Sequence, residues 1–91
     1  MTPSANHLSA GTLDDAAIGQ ELTVVDVQAP PTMPEWASWL DEIGFSPGER
    51  VMLMKRAWPG GDPLVVRIGQ STFALRRAEA ACVRVSLPAT A

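Results

Sequence analysis

Apolar residues recur along this chain in short alternating runs, each closed by Gly or Pro. Glu21 to Val27 is rich in Val and Thr and bounded by Gly19 and Pro30, the signature of a strand. Arg50 to Ala57 reads as a second strand, with Val51, Leu53 and Lys55 on one side and Met52, Met54 and Arg56 on the other. Leu64–Ile68 and Ser71–Leu75 flank Gly69-Gln70, a candidate two-residue hairpin turn. Cys82 to Ser86 closes the series as a fifth strand, preceded by a helical turn at Ala78–Ala81. Pro59-Gly-Gly-Asp-Pro63 makes a turn or wide loop between the second and third strands.

A helical period occurs once. Trp36, Leu40 and Ile43 fall at i, i+4 and i+7, one face of a helix of about three turns. Thr32 is its expected N-cap, with Pro34 in the first turn and Glu35 completing a capping box. Gly44 ends it as a left-handed residue, after which Phe45 folds back onto Leu40 or Trp39. Pro47-Gly48 supplies the central pair of a type II turn. Nearer the start, Thr12 is expected to cap a single turn with Asp15, which Gly19 stops.

Five short strands with one helix inserted after the first predict a mainly β fold, a small SH3-like five-stranded barrel. Closure of the barrel would answer the edge problem of an open sheet. The expected organisation is a tail at 1–11, one domain at 12–87 and a C-terminal tail at 88–91.

Ninety-one residues make one small domain, able to bury only about 60% of its unfolded surface. No stretch approaches the roughly 20 apolar residues of a membrane span, and the opening residues lack the regions of a signal peptide. The lone Cys82 excludes an internal disulfide and fits a reducing compartment, so the chain is expected to be cytoplasmic. The net charge of −3 hides an asymmetry. Residues 1–49 hold eight carboxylates and no Lys or Arg, whereas residues 50–91 hold all seven cations against Asp62 and Glu79. Either strands of the two halves pair, with opposite charges meeting on the outer face, or the surface is polarised toward a partner. An acidic domain without a basic, aromatic-interleaved run points away from nucleic acid.

Candidate chemistry is sparse. His7 is the only histidine and Cys82 the only cysteine, so no Cys/His metal cluster forms within one chain. Asp41, Glu42 and Glu49 are the remaining carboxylate candidates for a metal, or a solvated helix end. Cys82 lacks a histidine base and reads as a buried structural residue. Gly60-Gly61 is followed by Asp-Pro instead of the Lys of a phosphate loop. No catalytic residues or cofactor are expected. Trp36, Trp39 and Trp58 are a large apolar payload, which either completes the core or leaves Trp39 or Trp58 exposed as a partner anchor. Arg76 and Arg77, beside the last strand, would supply the polar rim of such a surface or form a solvated corner.

Three motifs in order, Leu40-x-x-Ile-Gly-Phe-x-Pro-Gly48, Pro59-Gly-Gly-Asp-Pro-Leu64 and Phe73-Ala-Leu-Arg76 with Glu79-Ala80, resemble the FeoA family, the ferrous iron transport protein A of bacteria. The similarity runs from about Leu13 to Val85. It implies an SH3-like barrel and a non-catalytic accessory that docks on the membrane ferrous iron transporter, a FeoB-type protein with a GTPase domain. Where many relatives carry a basic residue before the helix leucine, Ser38-Trp39 stands here. The alternative is a metal-responsive protein that itself binds ferrous or another transition metal ion weakly or at a subunit contact.

Overall fold

The computed structural model describes residues 11–87. The expected tails, apart from Gly11, lie outside the described residues, as does His7. A 3-10 turn at Leu13–Asp15 leads into β1 (Glu21–Val27), α1 (Glu35–Glu42), β2 (Arg50–Arg56), β3 (Leu64–Ile68), β4 (Ser71–Leu75), α2 (Arg77–Ala80) and β5 (Val83–Ser86). The strands form one antiparallel sheet in the order β4-β3-β2-β1-β5. It is the expected SH3-like arrangement, with its helix inserted after the first strand.

One face of every strand feeds a single core. Leu22 and Val24, Val51 and Leu53, Val66 and Ile68, Leu75, and Val83 and Val85 are buried together with Leu13, Leu40 and Phe45. Rolling the sheet over this cluster makes it barrel-like, yet β4 and β5 do not pair, so hydrogen bonds do not seal the barrel as closure would require. The outer edge of β5 is instead covered by the incoming chain. Gly11 accepts a hydrogen bond from the Val85 N–H at 3.1 Å, and Thr12 forms a bridge with Arg84.

The helix stop is built as a Schellman turn. Phe45 N–H donates to the Leu40 carbonyl and Gly44 N–H to that of Asp41, at 3.0 and 3.1 Å. Gly44 takes φ +125°, which suits glycine, and faces Ile68 at the far end of β3. This turn delivers Phe45 into the core with no exposure. The Pro47-Gly48 turn follows, closed by Glu49 N–H on Ser46 O and bonded to Val24 on β1 in both directions.

Four expectations are corrected. Thr32 does not cap α1; Pro34 occupies the N-cap, and the backbone turn from Pro30 to Met33 leads into it. Thr12 does sit before its turn, but its hydroxyl donates to the Asp15 carboxylate rather than accepting a backbone N–H. Gly19 does not end that turn, which stops at Asp15; with φ +84° it turns the chain into β1 and donates to Leu53 O. Finally, Lys55 does not share a face with Val51 and Leu53. A bulge at Met54 pairs Leu53 with Val66 and Lys55 with Val65, which turns Lys55 outward and Arg56 toward the interior. Cys82 lies in the turn just before β5.

Among the described residues all four ion pairs join an acid of the first half to a cation of the second: Glu21–Arg50 and Asp26–Arg84 link neighbouring strands on the outer face, as expected, whereas Asp14–Arg56 and Asp14–Arg77 tie the 3-10 turn to β2 and α2. The Arg84 guanidinium donates to both oxygens of Asp26, each at 2.7 Å, and holds that carboxyl below its ordinary value.

Two outcomes follow from this packing. Phe45→Ala should cost about 3–5 kcal/mol, most of the stability of a domain this small, read from urea unfolding. A loss under about 1 kcal/mol would show that the Schellman turn does not deliver a core residue. For Asp26, the lowered folded-state pKa means its pairing stabilises the fold above about pH 4, where the unfolded carboxyl is ionised, and is lost as pH falls through the lowered value. Arg84→Gln should therefore lower the urea midpoint at pH 6, with the gap to wild type closing in acid. A gap that stays constant with pH would exclude this pair as its origin.

Candidate functional site

The hairpin of β2 and β3 and the end of β4 meet at one end of the sheet, and three of the four singled-out residues, Trp58, Arg76 and Arg77, lie in the segments there. Arg56 pairs with Leu64, and Leu64 with Leu75, so the loop after β2 and the segment after β4 are neighbours. The Arg77 N–H donates to Asp62 Oδ1 in that loop at 3.2 Å. Trp58 opens the loop, and its side chain stands in solvent at 92% exposure. Gly60 and Gly61 carry the chain through positive φ, and Ala57 N–H on Pro63 O closes the loop's base. Trp58 is thus held out by a structured turn.

Arg76 and Arg77 part company. Arg77 donates to Asp14 through Nε at 3.0 Å and through a terminal nitrogen at 3.4 Å, and this carboxylate raises its pKa further. The same Asp14 side chain, only 16% exposed, lies 3.6 Å from Arg56, whose guanidinium also donates to the carbonyls of Asp14 and Ala16. Arg77 is therefore half of a clamp that fastens the 3-10 turn over the sheet. Arg76 is exposed, in extended backbone, and among the described residues its guanidinium has no carboxylate within ion-pair distance. Its own N–H bonds Glu79 Oε1 at 2.8 Å, which starts α2.

Trp39 lies apart. It is 38% exposed on α1, whose stop at Gly44 rests on Ile68, the opposite end of β3 from Leu64. Trp36, one turn earlier, packs against the core. Trp39 and Trp58 therefore do not form one surface.

The chemically reactive groups are quiet. Cys82 is buried, its thiol donates to Ala78 O at 3.4 Å, and burial followed by the charge of Glu79 pushes its pKa up, away from a nucleophilic thiolate. Asp41 accepts the Ser46 hydroxyl at 2.8 Å, and Asp41, Glu42 and Glu49 are all exposed. Among the described residues no three His, Cys, Asp or Glu side chains gather as metal ligands, and no helix is long and apolar enough to cross a membrane.

Asp14 was not legible as a hub, because a carboxylate in a lone 3-10 turn carries no mark of its two partners, 42 and 63 residues away. The outward turn of Lys55 was hidden for a similar reason, since a bulge has no residue signature at Met54.

Comparison with known proteins agrees with this architecture. The FeoA domain model matches residues 11–87. The FeoA of Stenotrophomonas maltophilia, an SH3 domain protein complexed with zinc and proposed as a ferrous iron transport activating factor, is 36% identical over 85% of this chain and 91% of its own, with a TM-score of 0.77. The FeoA protein of Chlorobium tepidum is 26% identical over 87% and 71% of the two chains, TM-score 0.73. A manganese-dependent transcriptional repressor is 25% identical over 86% of this chain but only 42% of its own, TM-score 0.69. A search of curated proteins found no match. The motif order, the SH3-like sheet and a family match across all the described residues lead to one conclusion: this chain belongs to the FeoA family.

Proposed function

We propose that this chain is a non-catalytic, cytoplasmic accessory of bacterial ferrous iron uptake that docks on a membrane ferrous iron transporter of FeoB type. Membership of the FeoA family supports the pathway, and the relative from Stenotrophomonas is itself proposed as a transport activating factor. The observation that carries docking is Trp58. A tryptophan held 92% exposed by a structured loop represents apolar area worth about 4–6 kcal/mol if fully buried, of which association keeps only part. Arg76, in the segment after β4 that neighbours this loop and without a carboxylate partner among the described residues, supplies a donor for the rim, while Arg77 is already committed to Asp14. Trp39 offers a second, separate anchor.

Trp58→Ala should leave the fold intact and weaken binding to the detergent-solubilised transporter at least tenfold, with Trp39→Ala measured alongside. Normal binding by both folded variants would remove the tryptophans from the contact.

The zinc bound by the Stenotrophomonas relative favours one other reading, weak binding of a ferrous or other transition metal ion at a contact between subunits. Anaerobic calorimetry should then show heat that scales with self-association. No heat with ferrous ion up to about millimolar concentration would remove this reading.

A further inference from the structure

The outward face of β2, β3 and β4 has a composition unlike the rest of the molecule. Its rows run Met52–Arg67–Thr72 and Lys55–Val65–Ala74, read from the strand register. Arg76 follows two residues after Ala74 in extended backbone, on the same side. No carboxylate occupies any of these positions, although the chain is acidic overall. Of the seven cations, four are in ion pairs among the described residues, and the other three are Lys55, Arg67 and Arg76. Every cation without an ion-pair partner among the described residues therefore belongs to this one face.

The face ends in an open edge. Among the described residues the backbone of β4 bonds nothing but β3. Gly69 at φ +60° followed by Gln70 forms a two-residue turn that makes Ile68 and Ser71 a hydrogen-bonded pair. Pairs then alternate, so Thr72 and Ala74 direct their N–H and C=O groups away from β3. Edges are normally blunted by charge, proline or a bulge, and Ser-Thr-Phe-Ala-Leu has none of these.

We propose that β4 is a strand-addition site for an extended, acidic segment of a partner protein. The segment would pair through Thr72 and Ala74 and lay alternate carboxylates toward Arg67 and Arg76, with Lys55 adding positive charge further across the same face. Charge decides the occupant. A second copy pairing through β4 would set two carboxylate-free basic faces side by side, whereas an acidic strand neutralises one. As the docking surface of the transporter partner, this assignment rests on the reading given above.

The test uses the full, isotope-labelled chain and a ten-residue peptide alternating Glu and Val, with a Lys/Val peptide as control. The amides of Thr72 and Ala74 should move most, and the acidic peptide should bind at least tenfold tighter than the basic one. Ala74→Pro, which removes an edge N–H that β3 does not use, and Arg67→Glu should each weaken it at least tenfold while the remaining spectrum stays native. If the proline variant does not fold, Arg67→Glu alone decides. Largest shifts away from β4, equal binding of both peptides, self-pairing through β4, or binding of phosphatidylglycerol vesicles in place of the peptide would each overturn the proposal. The transporter separates the two readings. Wild-type binding that survives both variants keeps docking and discards this face; peptide binding at β4 without transporter binding keeps the edge site and discards docking.

Discussion

Five short strands rolled over one core leave two edges, and the unequal treatment of those edges governs this molecule. The chain entering the fold spends itself on β5: Gly11 and Thr12 bond to its outer side, and Leu13 drops into the core behind them. Asp14 holds this segment, by taking Arg56 from the end of β2 and Arg77 from the start of α2. A largely covered carboxylate with two guanidinium partners is a stronger tie than an exposed pair, whose value is about 0–1 kcal/mol. Among the described residues nothing comparable reaches β4, so that strand keeps its free backbone groups.

The geometry that makes the tie possible comes from the bulge at Met54. Without it, Arg56 would point to the outer face and Lys55 inward. The extra residue reverses both, sending the branched, multivalent Arg to the carbonyls of Asp14 and Ala16 and leaving the simple ammonium of Lys55 in water. One local irregularity thus serves the clamp and builds the basic face.

Much of the fold was legible because glycine and proline mark it. β1, β3 and β4 have the ends that their flanking turns imply, and the Gly44 stop forms with Phe45 folded onto the helix end as its motif requires. The errors share a cause. Thr32 has the right chemistry for a cap, but Pro34 offers no N–H, Pro30, Pro31 and Pro34 constrain the entry, and a backbone turn forms instead, with Met33 N–H on the Pro30 carbonyl and Trp36 N–H on that of Met33. Lys55 fails because alternation assumes a regular ladder. The candidate site was half visible: Trp58 and Arg76 are exposed where turn chemistry suggested, but the difference between Arg76 and Arg77 depends on Asp14, which sequence places far from both. Local rules see neighbours in the chain, and these decisions are made by neighbours in space.

The ion pairs make better sense as devices of register than of stability. A slip of one residue exchanges the faces of a strand, and a bulge is where such a slip is least opposed. The sheet has two bulges, at Val25 and Met54, and an ion pair follows each within two residues: Asp26 with Arg84 after the first, Arg56 with Asp14 after the second. Each pair forms in only one of the two phases, so each selects the phase that buries the apolar side. The cations used this way are those whose strands border acidic partners. β3 and β4 have no irregularity between them and no acid beside them, so Arg67 and Arg76 are spared that task. The same charge pattern that settles how the strands align therefore leaves its remainder on one face, next to the one edge that the described residues do not cover.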